Sequence, residues 1–197
     1  INIGVTAGIE TTAVSPVWLE KSKLMDKIIT ISNHSKSVFE RTHYDGLIRQ
    51  TQEKFVLKCE TPIDIVHYPV RNHEPGKLNL KTDTDFNFLS VAQWSPRKNV
   101  ENTIRWFVEE FIDQEVGLIL KLFKVNNSII DRGETEKNLK QILAQYPQRK
   151  CKVYMLHGDM SDSEMTALYQ YPKIKALVTM AHGEGFGLPI FEAAYNG

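Results

Sequence analysis

The stretch FNFLSVAQWSPRKNVENTIRWFVEEF, residues 86–111, passes from a nearly continuous apolar run through a short polar loop into a segment with apolar residues at helical spacing. Residues 86–92 read as a strand buried on both faces, because only a strand covered above and below is apolar at successive positions. Val100, Ile104, Phe107, Val108 and Phe111 share one face of a helix. Asn99 stands where the N-cap of that helix belongs. A buried strand running straight into an amphipathic helix is the repeating unit of an α/β domain.

The same unit recurs downstream. Apolar runs at 116–123, 152–156 and 174–180 predict three more strands, with helical stretches between them. Ser161 with Glu164 three residues later forms a capping box ahead of Met165, Leu168 and Tyr169. Together these predict a Rossmann-like parallel sheet with helices on both faces. A weaker version of the pattern precedes it, with strands expected at 2–6, 27–31 and 63–67 and helices at 17–24 and 35–44. The polar stretch 71–85, with its Pro75-Gly76 turn pair, marks the junction. The expected organisation is therefore a partial second Rossmann-like domain over 1–75, a linker at 76–85, and the main domain over 86–197, truncated at its C-terminal end. The chain starts at Ile1 without a methionine and stops at Gly197 directly after a helical pattern, which reads as a fragment at both ends.

Composition narrows the function classes. Of 197 residues, 42% are hydrophobic and 24% charged, the profile of a folded chain rather than a disordered one. Lys plus Arg and Asp plus Glu both total 24, so no bulk field draws the chain to nucleic acid or an anionic membrane, and any anion site must be local. Cys59 and Cys151 lack ligand spacing and read as reduced packing residues of a cytoplasmic protein, with a disulfide as the lesser alternative. No apolar run is long enough to span a bilayer, which leaves peripheral membrane contact open.

The chemistry gathers at the end of the chain. After the fourth expected strand come Ala181, His182, Gly183, Glu184, Gly185, Phe186, Gly187, Leu188 and Pro189, a glycine-rich turn leading into a helix. In open parallel sheets ligands collect beyond the carboxyl ends of the strands. Gly185 and Gly187 permit close approach of the backbone, and Pro189 suits a first helical turn. The free N–H groups from Phe186 onward, with the helix dipole, then form an anion site of pyrophosphate size. Glu184 and Glu192 flank it. Carboxylates repel phosphate, so they suit hydroxyl groups on either side, a sugar and a ribose, which together describe a nucleotide sugar. The plainer alternative is that Glu192 only favours the helix N-terminus and Glu184 is a solvated loop residue. His182 is a candidate for the sugar pocket.

The string EGFGLPIFEAAYNG, residues 184–197, resembles the E-x7-E signature of retaining GT-B glycosyltransferases, in particular the family 4 group. The resemblance implies that Glu184 contacts the donor sugar, that Glu192 binds the ribose, and that the backbone of Gly185, Phe186, Gly187 and Leu188 holds the diphosphate and sugar. The stretch from Phe86 resembles the opening of that family's donor domain, where an arginine and a lysine hold the diphosphate. Lys98 matches the lysine, whereas Gln93 stands at the arginine position and Arg97 is the alternative source of charge. HGDMSDSEMTALY is similar to the loop and helix near the nucleotide base, with His157 a candidate to touch it. MDKIITISNHSKSVFE and TAGIETTAVSPVWLEKS resemble parts of the acceptor-side domain, which would bring Gly8 and Glu10 near the cleft.

The implied reaction transfers a sugar from a nucleoside diphosphate sugar to a hydroxyl acceptor, whether sugar, lipid or protein glycan, with retention. Lys98 and the turn amides would stabilise the leaving diphosphate, with Glu184 positioning the sugar, and no metal or covalently bound cofactor is expected. Asp83-Thr84-Asp85 spells a metal-binding DxD but precedes a strand, away from the ligand edge. Two rivals stay open: a non-catalytic nucleotide-sugar-binding fragment, and a GT-B-fold nucleotide-sugar epimerase, which would want acid/base carboxylates in both domains.

Overall fold

The structure, a computed structural model, describes residues 1–8 and 11–197, so Glu10 lies outside the described residues. The chain divides into two compact units, Ile1–Pro69 with Gly183–Gly187, and Val70–His182 with Leu188–Gly197.

The first unit opens with β1 (Ile3–Thr6), α1 (Pro16–Ser22), β2 (Lys27–Thr30) and α2 (Asn33–Arg41). It continues with β3 (His43–Leu47), β4 (Lys54–Lys58) and β5 (Ile63–Ile65). The strands β1-β2-β5 make a parallel sheet in that order. Val14, Leu19, Ile28, Val38, Phe39, Leu57 and Ile63 form its core. The helix expected at 35–44 stops at Arg41, and β3 and β4 pair as an antiparallel hairpin that periodicity did not announce. Thr42 explains the stop. It is extended, its hydroxyl donates to the Val38 carbonyl at 2.6 Å, and it accepts the Val14 N–H at 3.0 Å, so this buried residue ties off the helix.

The second unit holds β6 (Asn87–Gln93), α3 (Val100–Glu110), β7 (Gly117–Phe123) and α4 (Ile129–Leu143). After these come β8 (Lys152–Leu156), α5 (Asp162–Tyr169), β9 (Ile174–Leu177) and α6 (Leu188–Tyr195). Its sheet is parallel throughout, in the order β8-β7-β6-β9. The chain builds outward from β6 through β7 to β8 and then crosses back to lay β9 on the other side of β6. Strand order thus reverses between β6 and β9, the switch point where doubly wound sheets open a ligand crevice.

Strand β7 shows how both faces are covered. Leu118, Leu120 and Leu122 pack with Val100, Ile104, Phe107 and Val108 of α3 and with Leu139 and Ile142 of α4. Ile119 points the other way, into a cluster with Leu89, Leu168 and Tyr169, as period-two alternation requires. The α3 residues predicted to share a face are the buried ones, except that Phe111 caps the helix half-buried. The capping box of α5 is formed in full by Ser161 and Glu164.

Residues 76–85 run against this second unit. Leu78 and Leu80 pack on its Leu89 cluster, and the Gly76 N–H donates to the Ser163 carbonyl at 2.8 Å. The Asp83-Thr84-Asp85 triplet closes the amino edge of the sheet. Thr84 bonds Asn87 at 2.5 Å, and the buried Asn87 amide donates to the carbonyls of Thr84 and Lys173 at 3.0 Å each. Gly117 lies so close beneath this knot that a Cβ there would fall 1.9 Å from Asn87 Oδ1.

Candidate functional site

A crevice of about 360 Å³ opens at the carboxyl edge of the second unit's sheet, lined in part by Gln93, Lys98, Lys121, Asn127, Asp159 and Pro189. Its position follows from the topology. Loops leaving β6, β7 and β8 and the start of α6 all emerge at this edge, and the amino-edge knot around Asn87 lies at the other.

The loops after β6 and β9 are joined at the switch point. The His182 N–H donates to the Arg97 carbonyl at 2.9 Å, and the Asn99 side chain donates to the Met180 carbonyl at 3.0 Å. Asn99 occupies the N-cap position expected for it, but in the left-handed conformation (φ 52°), and its side chain makes this bridge and accepts from the Asn102 amide at 2.8 Å instead of capping a backbone N–H. The strand expected over 174–180 ends as β9 at Leu177, and the chain turns towards α6 over residues 178–187.

Each predicted site residue has a definite place. Lys98 lines the crevice, and so does Gln93, whose amide donates to the Lys124 carbonyl at 3.0 Å. Arg97 contributes its carbonyl to the loop bridge, and His182 is exposed beside it. Leu188 opens α6, Pro189 follows it into the crevice lining, and Glu192 lies about one turn further on. Gly187, at φ 77°, holds a conformation that favours glycine, which explains the residue directly before the helix. Glu184, Gly185, Phe186 and Gly187 belong to the first unit, where the Phe186 ring meets Tyr68 edge-on at 5.4 Å and Gly185 lies beside Ala7. The two acids of the sequence signature therefore fall in different units.

Glu192 is already engaged on one side. The hydroxyl of Tyr169, on α5, donates to its Oε2 at 2.9 Å. Burial, reinforced by the adjacent carboxylate, pushes the Tyr169 phenol well above its ordinary pKa, so it stays a proton donor.

His157 does not reach for a base. Its side chain is buried, with Nε2 2.8 Å from Asp131 Oδ2. Asp131 also accepts the N–H groups of Lys124 and Val125, both at 2.9 Å. Burial raises its pKa, but these N–H groups and His157 outweigh that and hold the carboxyl below its usual range. The pair fixes the loop after β7.

Three crevice residues escaped the sequence reading: Lys121, Asn127 and Asp159. Lys121 was detectable in principle, as the single charge within the apolar run GLILKLF of β7. It shares the α5 face with Ile119, and its ammonium donates to the Gly158 carbonyl at 2.6 Å. Among the described residues no cluster of three or more potential metal ligands occurs, Cys59 and Cys151 are both free, and no helix is long and apolar enough to cross a membrane.

The fold is that of the GT-B glycosyltransferases. An E. coli trehalose-6-phosphate protein bound with UDP-2-fluoro glucose superposes with a TM-score of 0.63 at 10% identity, covering 98% of this chain and 50% of its own. A trehalose-6-phosphate synthase studied with bisubstrate glycomimetics gives 0.59 at 12% identity, with 98% and 50% covered. The apo form of OtsA gives 0.56 at 11% identity, with 91% and 45% covered. The chain thus spans about half the length of these neighbours. No protein-family model matches the sequence, and no curated protein is similar to it.

Proposed function

We propose that this chain binds a nucleoside diphosphate sugar and carries the donor-binding part of a retaining, metal-independent glycosyltransferase of the family 4 type, acting in the cytoplasm on a hydroxyl acceptor. The observation that carries the reading is the crevice at the carboxyl edge of the sheet, where Lys98 and Pro189, at the start of α6, line one cavity beside a switch point.

The chemistry follows from what such a crevice offers. Breaking the bond between sugar and diphosphate builds negative charge on the leaving phosphate oxygens. The N–H groups at the start of α6 and the Lys98 ammonium are fixed before that charge appears, so they stabilise it without reorganising. Glu192, oriented by Tyr169, accepts from ribose hydroxyls, and Glu184 is assigned to the donor sugar by its place in the signature. Neither acid is assigned nucleophilic attack. The solved neighbours support the reading in kind: one was bound with UDP-2-fluoro glucose, and another served to study glycosyl transfer with retention.

A thermal-shift screen of the chain against nucleotide sugars tests binding, since a ligand at about 100 times its Kd adds about 2.7 kcal/mol of apparent stability. A concentration-dependent rise with nucleotide sugars and none with free hexoses is expected. No shift with any nucleotide sugar would sink the donor-site reading. An assay of donor hydrolysis and sugar transfer on the same sample then separates an enzyme from a binding fragment.

A further inference from the structure

Glycine stands at both ends and in the middle of the turn Gly183–Gly187, so ordering it costs more conformational freedom than ordering an average stretch of its length. A carboxylate that is to meet a ligand from such a turn has to be held in place beforehand, because ordering it on binding subtracts from affinity. Phe186 is the turn's one large apolar side chain and therefore its handle for packing.

The first unit takes that handle. The turn belongs to it, whereas His182 and Leu188 on either side belong to the second. The half-buried Phe186 ring meets Tyr68 edge-on, with centroids 5.4 Å apart, an attractive geometry because the rim of one ring is positive and the face of the other negative. Tyr68 itself is delivered from a fixed backbone. Just ahead of it the Val66 N–H donates to the Thr30 carbonyl, continuing the pairing of β5 with β2, and His67 Nδ1–H donates to the Ile31 carbonyl, both at 2.8 Å. Just after it Pro69 disfavours the helical conformation at residue 68.

We propose that Tyr68 is a positioning residue of the donor turn, holding Phe186 and with it Glu184, two residues earlier in the same turn, where the donor sugar is recognised. The proposal rests on the donor-site reading above. It also separates two parts of the donor, because the groups assigned to diphosphate and ribose, Lys98, the start of α6 and Glu192, belong to the second unit and do not depend on Tyr68.

Calorimetry with UDP-glucose, GDP-mannose and ADP-glucose, each against its own nucleoside diphosphate, tests it. Tyr68 is 41% exposed, so its truncation leaves the core intact. Tyr68→Ala should weaken the nucleotide sugar that binds by roughly 2–10-fold, the range of an edge-to-face pair, and leave the matching diphosphate close to its parent affinity. Tyr68→Phe, which keeps the ring, should restore sugar binding. Tyr68→Ala combined with Phe186→Ala should cost no more than Phe186→Ala alone, because one contact is lost only once. Equal weakening of nucleotide sugar and diphosphate by Tyr68→Ala, no weakening of either, failure of Tyr68→Phe to restore binding, or additive costs in the double variant would each overturn the positioning role alone. Absence of binding by the parent to every one of these ligands would overturn the donor-site reading itself.

Discussion

The hydroxyl of Tyr169 holds Glu192, the acid proposed to bind the ribose. Removing it in Tyr169→Phe preserves the ring's place in the Leu89 cluster but frees the carboxylate to rotate. Nucleoside diphosphate binding should weaken several-fold while the melting temperature moves little. Calorimetry alongside a thermal melt checks both, and a large drop in melting temperature with unchanged affinity would make Tyr169 a packing residue only. Glu192→Ala and Lys98→Ala should each weaken diphosphate binding several-fold, and Glu184→Ala should mainly blur discrimination among sugars. Unchanged binding in all three would refute the site assignment. Gly117 poses a different question, since its missing Cβ makes room for Asn87 Oδ1. Gly117→Ala should destabilise the fold by about 1–3 kcal/mol, the usual cost of overpacking, measurable by urea denaturation.

Two helix starts invite separate tests. The capping box of α5 satisfies N–H groups at both Ser161 and Glu164, so Ser161→Ala should cost about 1 kcal/mol, read from the shift in the urea midpoint. Helix α4 carries Asp131 in its first turn, and the lowered pKa of this carboxyl makes stability depend on acid. An acid whose pKa is depressed by folding contributes stability above its unfolded value, about 3.9 for Asp. It loses that contribution as pH falls through the lower folded value. Melting temperature should therefore drop as pH falls below about 4, and Asp131→Asn should flatten that limb of the profile. An unchanged acid limb in the variant would assign the sensitivity to other groups.

Across the chain, the neighbours explain why the fold was recognisable without a matching family model: at 10–12% identity they share architecture and little else. The strands of the second unit were visible in the sequence because strands covered on both faces are apolar at consecutive positions, and a run of that kind needs no tertiary context to be noticed. The helices α3 and α5 were visible for equally local reasons, an apolar face and a capping box. The glycine turn and Pro189 announced the start of α6 because their backbone demands are also local. Other features depended on residues far apart in the chain. Thr42 ends α2 through Val14, 28 positions away, and the hairpin β3–β4 follows from that stop. Residues 76–85 look like a polar linker until Leu78 and Leu80 meet the Leu89 cluster. His157 resembles a base-binding histidine until Asp131 claims it. Lys121 and Asn127, in β7 and the loop after it, share a crevice with Asp159 only because β7 and β8 lie side by side. Local backbone and burial preferences are written residue by residue, whereas the company a side chain keeps is settled by strand order and packing, and it is that company which gathers scattered polar residues into one crevice.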